Sequence, residues 1–298
     1  MGRILITGAS GLVGKPLSWN LIRFGHHVVH LSRRKRPTSP FETFLWNPEE
    51  GFIDEKAFEG VNHIIHLAGA GVADKRWTTK RKKEILESRV GSTELLFDYV
   101  EKLDLKLRSY ISASAIGLYG DTGDEWVDED TPPGKDFLAQ VVKDWEGAAD
   151  MFSSRTRVAK VRIGIVLSEN GGALTEIAKP VKLFVGAPLG NGKQYLSWIH
   201  IKDLVGIFQH ILDENLEGPF NAVAPQPATN KELTQAIANA LNKPLMMPNV
   251  PSFVMKSLLG EMASMVLSGS KVSAKKILSQ GYEFQYAELQ KAVNDLLV

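Results

Sequence analysis

Short apolar runs alternate with amphipathic stretches along the first two-thirds of the chain. RILIT (3–7), HVVHLS (27–32), HIIHLA (63–68), SYISAS (109–114) and VAKVRIGIVL (158–167) are nearly continuous in apolar residues. That is the pattern of strands covered on both faces. Between them, residues 12–24 have helical spacing, with Leu17, Leu21 and Phe24 on one face. Residues 78–102 read as a long polar helix or a pair of helices that buries Ile85, Leu95, Leu96 and Val100, and 137–152 reads as another helix. A βαβα rhythm of this kind predicts an α/β fold, a doubly wound parallel sheet with helices on both faces.

After about residue 168 the rhythm weakens, and GAPLGNGKQYLSW (186–198) is glycine-rich with no helical period. DLVGIFQHIL (203–212) predicts a helix and PFNAVA (219–224) a strand. Thr229, with Glu232 three residues on, forms a capping-box signal that opens a helix over 229–242. Proline breaks fall at 244–251, and the tail 252–298 reads as helical with a break near Gly281. The expected division is a nucleotide-binding lobe of 1–166 plus 198–225, and a smaller, mostly helical substrate lobe of 167–197 plus 226–298.

Composition narrows the functional classes. Hydrophobic residues are 44% and charged residues 23%, as in ordinary globular domains. Basic and acidic residues number 35 and 34, so a protein that coats nucleic acid is not expected. The basic cluster Lys75–Lys83 has only Trp77 for company and reads as a solvated face, or as help for a phosphate-bearing ligand. There is no cysteine, which excludes a disulfide scaffold and a thiolate nucleophile. Ile4-Leu5-Ile6 is too short for a signal-peptide core, and no run of ~18 apolar residues occurs. A soluble, cytoplasmic protein with no membrane partner is the expectation. No histidine pair has metal-ligand spacing; His63 and His66 read as packing residues in an apolar strand.

TGASGLVG (7–14) carries the strongest chemistry. It follows a strand, precedes a helix and spaces Gly8, Gly11 and Gly14 three apart. Gly8 permits the tight turn, Gly11 lets backbone approach a pyrophosphate, and Gly14 lets the helix pack on the sheet. The helix start offers N–H groups and partial positive charge to the anion. Ser10 adds a hydroxyl, and Leu12 and Val13 complete the contact loop. The bland alternative is a glycine-rich turn with no ligand. At the end of the second strand, Ser32-Arg33-Arg34-Lys35-Arg36 stands where an NAD enzyme carries an acid. Arg33 is therefore expected on a 2′-phosphate or over the adenine, with Ser32 donating a hydrogen bond and Arg34 assisting. This makes NADP(H) the expected cofactor, unless the run is simply an exposed basic loop.

With that loop, HLAG (66–69) and SASAIGLYG (112–120) in view, the chain resembles the extended short-chain dehydrogenase/reductase superfamily. More narrowly, it resembles the atypical epimerase family of sugar-nucleotide-epimerase-like proteins, some described as cell-division-inhibitor-like. The likeness extends through RWT with KEILESR (76–89), DFLAQVVKDWE (136–146), RIGIVLSENGGAL (162–174), GAPLGNGKQYLSWIHIKDL (186–204) and FNAVAPQPATNKELT (220–234). LLGEMASMVLSGSKV (258–272) is similar to that family's own C-terminal domain. The resemblance implies a Rossmann-type sheet, substrate under the C-terminal lobe, and Leu67, Ala68 and Gly69 along the cofactor path. It implies Glu84 and Arg89 near the cofactor, Arg89 balancing pyrophosphate charge, and Val166 near the nicotinamide. The alternatives are an interlobe salt bridge for Arg89 and sheet core for Val166. Relatives pairing through helices leave a homodimer among the expectations.

The superfamily's proton relay is missing. A Tyr-x-x-x-Lys pair sets phenol and ammonium one helical turn apart, so that the ammonium lowers the phenol pKa. In DFLAQVVKDWE, aligned on Glu146, Leu138 and Val142 fall at those positions. Ser114, Tyr119 and Lys143 remain as catalytic candidates. Against them, Tyr119 reads equally as a structural aromatic and Lys143 as an exposed helical lysine. His200 and Asp203 in SWIHIKD read as a structural brace. Two functions stay open: an NADP(H)-dependent oxidoreductase or epimerase acting on a small polar substrate such as a nucleotide sugar, or a non-catalytic NADPH-binding regulatory or scaffold protein.

Overall fold

A computed structural model describes all residues 1–298. The chain begins β1 (Arg3–Thr7), α1 (Gly14–Arg23), β2 (His27–Ser32), β3 (Glu42–Asn47), β4 (Phe52–Ile53) and β5 (Val61–His66). It continues α2 (Thr79–Glu87), α3 (Val90–Lys102), β6 (Ser109–Ala115), β7 (Trp126–Val127), α4 (Phe137–Asp150), β8 (Arg157–Ile163) and β9 (Ile165–Leu167). The central sheet has the order β4-β3-β2-β1-β5-β6-β8, closed at its far edge by β12 (Gly218–Ala222). All its pairings are parallel except β3 with β4. Strand order reverses at β1, which lies between β2 and β5; that switch point opens a crevice at the strand C-termini.

Alternate residues of each strand feed opposite layers. Ile4 and Ile6 of β1 pack with Leu17 and Leu21 of α1 and with Phe208 of α6 (Ile201–Asp213). Leu5 faces the other layer, with Leu96, Val100, Tyr110 and Phe152. Phe24, expected on the buried face of α1, stands outside it: it caps the helix and is exposed.

The run 158–167 is two strands, not one. At Gly164 the chain leaves the central sheet, and β9 pairs in parallel with β11 (Trp198–His200). A Cβ at Gly164 would lie 2.4 Å from Ser197 O, so only glycine passes there. Besides the two-residue strands, including β14 (Lys271–Val272) within the tail expected to be helical, two elements lack a sequence signal. One is β3, of which only Trp46 is buried. The other is α5 (Ala173–Lys182), entered from Gly171-Gly172 and carrying Pro180.

The remaining segments are β10 (Tyr195–Leu196), β13 (Ala228–Thr229), α7 (Asn230–Ala240), α8 (Ser252–Leu259), α9 (Ser264–Leu267), β14 (Lys271–Val272), α10 (Lys275–Ser279) and α11 (Leu289–Leu297). The capping box at Thr229 and Glu232 is formed. A separate apolar cluster joins Trp198, Leu233, Ile237 and Val293. Asp203 and His200 are joints between segments. Asp203 accepts from the N–H of Gln285 (2.8 Å) and of Tyr286 (3.0 Å). Buried His200 accepts from Lys202 N–H and lies 3.2 Å from Asp295. No helix is long and apolar enough to cross a membrane.

Candidate functional site

The glycine loop is built as its three positions require. Gly8 has φ +64°, and a Cβ on it would lie 2.7 Å from Leu67 C and O. A Cβ on Gly14 would lie 2.4 Å from Gly8 O, so this glycine fixes how closely α1 approaches β1. Gly11 donates to Gly8 O at 2.9 Å and is otherwise open. The backbone N–H groups of Ser10, Leu12, Val13 and Gly14 find no acceptor in the chain. Unsatisfied N–H groups at a helix start suit an anion. Across the crevice, a Cβ on Gly172 would lie 3.3 Å from Leu12 Cδ2 and 3.5 Å from Val166 O, so the turn after β9 faces the loop.

Thr7 and His66 pin the neighbouring strand end. Thr7 Oγ1 lies 2.7 Å from His66 Nδ1 and accepts from the N–H groups of Leu67 and Ala68, each at 3.1 Å. His66 Nε2 lies 3.1 Å from Ser92 Oγ on α3. Burial, and then the charge of Arg89, push the His66 pKa down to about 3, so the ring is a neutral strut. A Cβ on Gly69 would lie 3.1 Å from Arg89 Cζ, so a side chain there would press on the guanidinium.

Arg89 donates from Nη1 to Ala70 O and Ile85 O, both at 3.0 Å, and its Cζ lies 5.1 Å from the Trp145 ring centre. No carboxylate lies within ion-pair distance of it. Burial lowers its pKa to about 10, with Arg81 adding to the effect. Glu84 is not brought to Arg89. It is exposed and pairs with Arg81 at 2.7 Å, because five residues along a helix do not stack.

At the other side of the loop, one arginine of the basic run makes side-chain hydrogen bonds within the chain. Arg33 and Arg34 are exposed, and Arg34 contributes only its backbone N–H, to Ser32 Oγ at 3.3 Å. Arg36 instead donates from Nε to Ser32 Oγ (3.3 Å) and from Nη2 to Ser10 Oγ (3.1 Å). Its only sequence signal was membership of the Arg33–Arg36 run.

The catalytic candidates separate. Ser114 Oγ donates to Glu146 Oε1 at 2.5 Å. Arg162 holds both oxygens of Glu146, Nε to Oε1 at 2.8 Å and Nη2 to Oε2 at 2.9 Å. Its Nη1 donates to Tyr119 OH (3.0 Å) and to Glu129 O (2.9 Å). Tyr119 OH donates to Asn221 Oδ1 at 2.7 Å, and Asn221 N–H donates to Glu129 Oε1 at 2.7 Å. All six residues are buried. Burial pushes the Tyr119 pKa up to about 12, against the pull of Arg162. Ser114 and Tyr119 therefore share one network, but both give their protons to protein acceptors. Lys143 is exposed and lies outside the network, since Val142 and Glu146 turn to the sheet and the next position turns to solvent. Glu146 and Arg162 were not among the expected site residues; they stand 16 positions apart and meet only through the packing of α4 on β8.

The crevice has free N–H groups, glycines where a Cβ would clash, and two arginines without carboxylates. A dinucleotide fits these donors. The chain belongs to the epimerase family of the extended short-chain dehydrogenases/reductases. The profile of the NAD dependent epimerase/dehydratase family matches residues 4–143, and a domain of unknown function, DUF1731, matches 250–296. Epimerase family protein SDR39U1 homolog, chloroplastic, of Arabidopsis thaliana is 34% identical over 303 residues, covering 99% of this chain and 86% of that protein. The crystal structure of human epimerase family protein SDR39U1 with NADPH superposes with a TM-score of 0.89 at 32% identity, covering 99% of both chains. A nucleoside-diphosphate sugar epimerase from Corynebacterium glutamicum gives a TM-score of 0.80 at 32% identity, covering 99% of this chain and 58% of that one.

Proposed function

We propose that this protein binds NADP(H) along Gly8–Gly14 and acts as an oxidoreductase or epimerase on a small polar substrate, a nucleotide sugar being the leading class. The observation that carries the reading is Arg89, a half-buried cation with no carboxylate partner beside a glycine turn with unsatisfied N–H groups. Free N–H groups of the loop receive the pyrophosphate, and Arg89 neutralises it. Leu67, Ala68 and Gly69 keep the path open, and Val166 packs at its far end. Bound nicotinamide supplies hydride transfer. The substrate lies under the lobe formed by 167–197 and 226–298, which covers the cofactor lobe of 1–166 and 198–225.

The protein's own proton chemistry sets this reading apart from the family's standard relay. Ser114 and Tyr119 hold their protons inside the chain, so a substrate hydroxyl meets no phenol–ammonium pair. That same observation favours a second reading, an NADPH-binding regulator without turnover.

Calorimetric titration with NADPH tests the binding, and Arg89→Leu is expected to weaken it about 10- to 100-fold, the loss of a charge-assisted contact. Unchanged affinity in that variant removes Arg89 from the site. Isotope exchange at the nicotinamide, measured over nucleotide sugars, quinones and aldehydes, separates the two readings. Exchange with any of them supports the enzyme; tight binding without exchange supports the regulator.

A further inference from the structure

Residues 182–193 and 241–257 contain four lysines, Lys182, Lys193, Lys243 and Lys256, and no aspartate or glutamate. The two segments lie side by side. Lys243 Nζ sits 4.1 Å from the Phe184 ring centre. Further along, Gly190 N–H donates to Val250 O at 2.8 Å and Val250 N–H donates to Pro188 O at 2.9 Å. The resulting ribbon presents Leu183, Phe184, Val185, Met246 and Met247 to solvent, and α8 continues from it with Phe253 exposed and none of its eight residues buried. Leu183, Met246 and Phe253 expose 72%, 67% and 73% of their surface, so these side chains protrude. Lys82, Lys102, Lys160 and Lys202 have carboxylate partners elsewhere in the chain, whereas the four lysines of this face have none. The ribbon also holds a strained residue. At the end of α5, Phe184 N–H donates to Val181 O and Val185 N–H to Pro180 O, each at 3.0 Å. That closure puts its left-handed position where glycine is usual. Phe184 occupies it at φ +62°, a conformation that a bulky residue rarely adopts. The strain gains no core contact, because the ring stays outside.

We propose that this face docks on an anionic lipid bilayer, with Phe184 and its apolar neighbours entering the headgroup boundary and the lysines lying among the phosphates. Protruding apolar side chains flanked by cations without counter-charge match that boundary, since the apolar tips leave water while the ammonium groups stay at headgroup level. Backbone strain kept for a side chain outside the core fits a residue that serves an external surface. Two other occupants fit less well. A two-fold contact with a second copy sets the face against itself, lysines on both sides and no acid in either segment to answer them. A partner helix needs a groove with walls, and side chains exposed by two-thirds or more have none. Peripheral attachment requires no spanning segment, and no helix here is long and apolar enough to be one. The proposal is independent of the glycine loop and of the dinucleotide reading.

Co-sedimentation of the full-length protein with vesicles tests this, using phosphatidylcholine alone and phosphatidylcholine mixed with phosphatidylglycerol. The wild type is expected to bind the mixed vesicles, to leave neutral ones unbound and to dissociate as salt is raised. Phe184→Gly is expected to weaken binding about 5- to 10-fold through the lost apolar contact. The same change relieves the turn, so its thermal melt is expected at or above the wild-type temperature, which separates lost binding from lost folding. Lys182→Gln combined with Lys243→Gln is expected to weaken binding about 10- to 30-fold. Lys75→Gln combined with Lys80→Gln removes as much charge from the other basic cluster and is expected to change binding by less than about threefold. Wild-type protein that stays in solution with the mixed vesicles overturns the proposal, as does equal binding to neutral ones. So does a loss in the Lys75, Lys80 variant that matches the loss in the Lys182, Lys243 variant. A wild-type dimer in sedimentation equilibrium that Phe184→Gly dissociates gives the face to a second copy and overturns it as well.

Discussion

Arg89 and Arg162 lie half-buried and buried in one α/β scaffold, yet their surroundings are opposite. Arg162 is saturated by the chain: Glu146 takes it in a two-pronged pair, and Tyr119 and Glu129 take the third nitrogen. Burial opposes its charge, but Glu146 and Tyr119 together outweigh burial and the net pKa shift is upward. Arg89 meets two carbonyls and a ring face, and its pKa is shifted downward. A buried cation neutralised from within is part of the scaffold. One left without a counter-charge keeps the capacity to pair with an anion from outside, as the proposed function requires. On the proposed reading, the contrast separates a binding end, at Arg89, from a braced end, at Arg162.

Arg162→Leu should strike hardest at that distinction. It strands Glu146 as a buried carboxylate, and stability is expected to fall by about 3–5 kcal/mol, read from urea unfolding. Arg89→Leu leaves no carboxylate behind, so its unfolding free energy without ligand should stay within about 1 kcal/mol of wild type. If the two variants lose similar stability, the division into scaffold and binding arginines fails.

A second, smaller effect comes from acid. Four buried histidines have lowered pKa values: His30, His63 and His200 at about 4 and His66 at about 3, in each case chiefly through burial. In the unfolded chain each titrates near 6.5, so the unfolded state takes up protons first as pH falls. Their contribution is complete above that value and drains away towards pH 4. Between pH 7 and pH 6 the expected loss is about 0.7 kcal/mol per histidine, or roughly 2–3 kcal/mol in all. Urea midpoints at the two pH values measure it. A slope well below this value would mean that the histidines are not held neutral by the fold.

These two ends were not equally readable in the sequence. Gly8, Gly11 and Gly14 announce themselves because a turn, a close approach and a helix contact each exclude a side chain, and all three constraints lie within seven residues. The strands of the sheet were readable for the same local reason. The break at Gly164 was not, since the apolar run continues across it and only the approach of Ser197 explains the glycine. Nor were β3, an outer strand with one buried residue, and α5, flanked by glycine and interrupted by proline. Arg36 was hidden among its neighbours, because the turn that aims it at Ser10 is a property of loop geometry. The braced end was least visible, since Ser114, Glu146, Arg162 and Asn221 come from four separate elements.

The smallest expected effect bears most directly on catalysis. Tyr119 looked like a substitute proton donor, but its hydroxyl bonds to Asn221 and Arg162 inside the protein. Tyr119→Phe removes both bonds while keeping the ring, and should cost about 1–2 kcal/mol of stability. NADPH affinity should not change, because no atom of the phenol reaches the glycine loop's donors. Any nicotinamide exchange found in the wild type should also persist in this variant, since its proton was never available to substrate. Lys143→Ala, at an exposed helical position, should alter neither stability by more than about 0.5 kcal/mol nor exchange. If instead Tyr119→Phe abolishes exchange at unchanged NADPH affinity, the network opens during turnover and the braced end belongs to the chemistry after all.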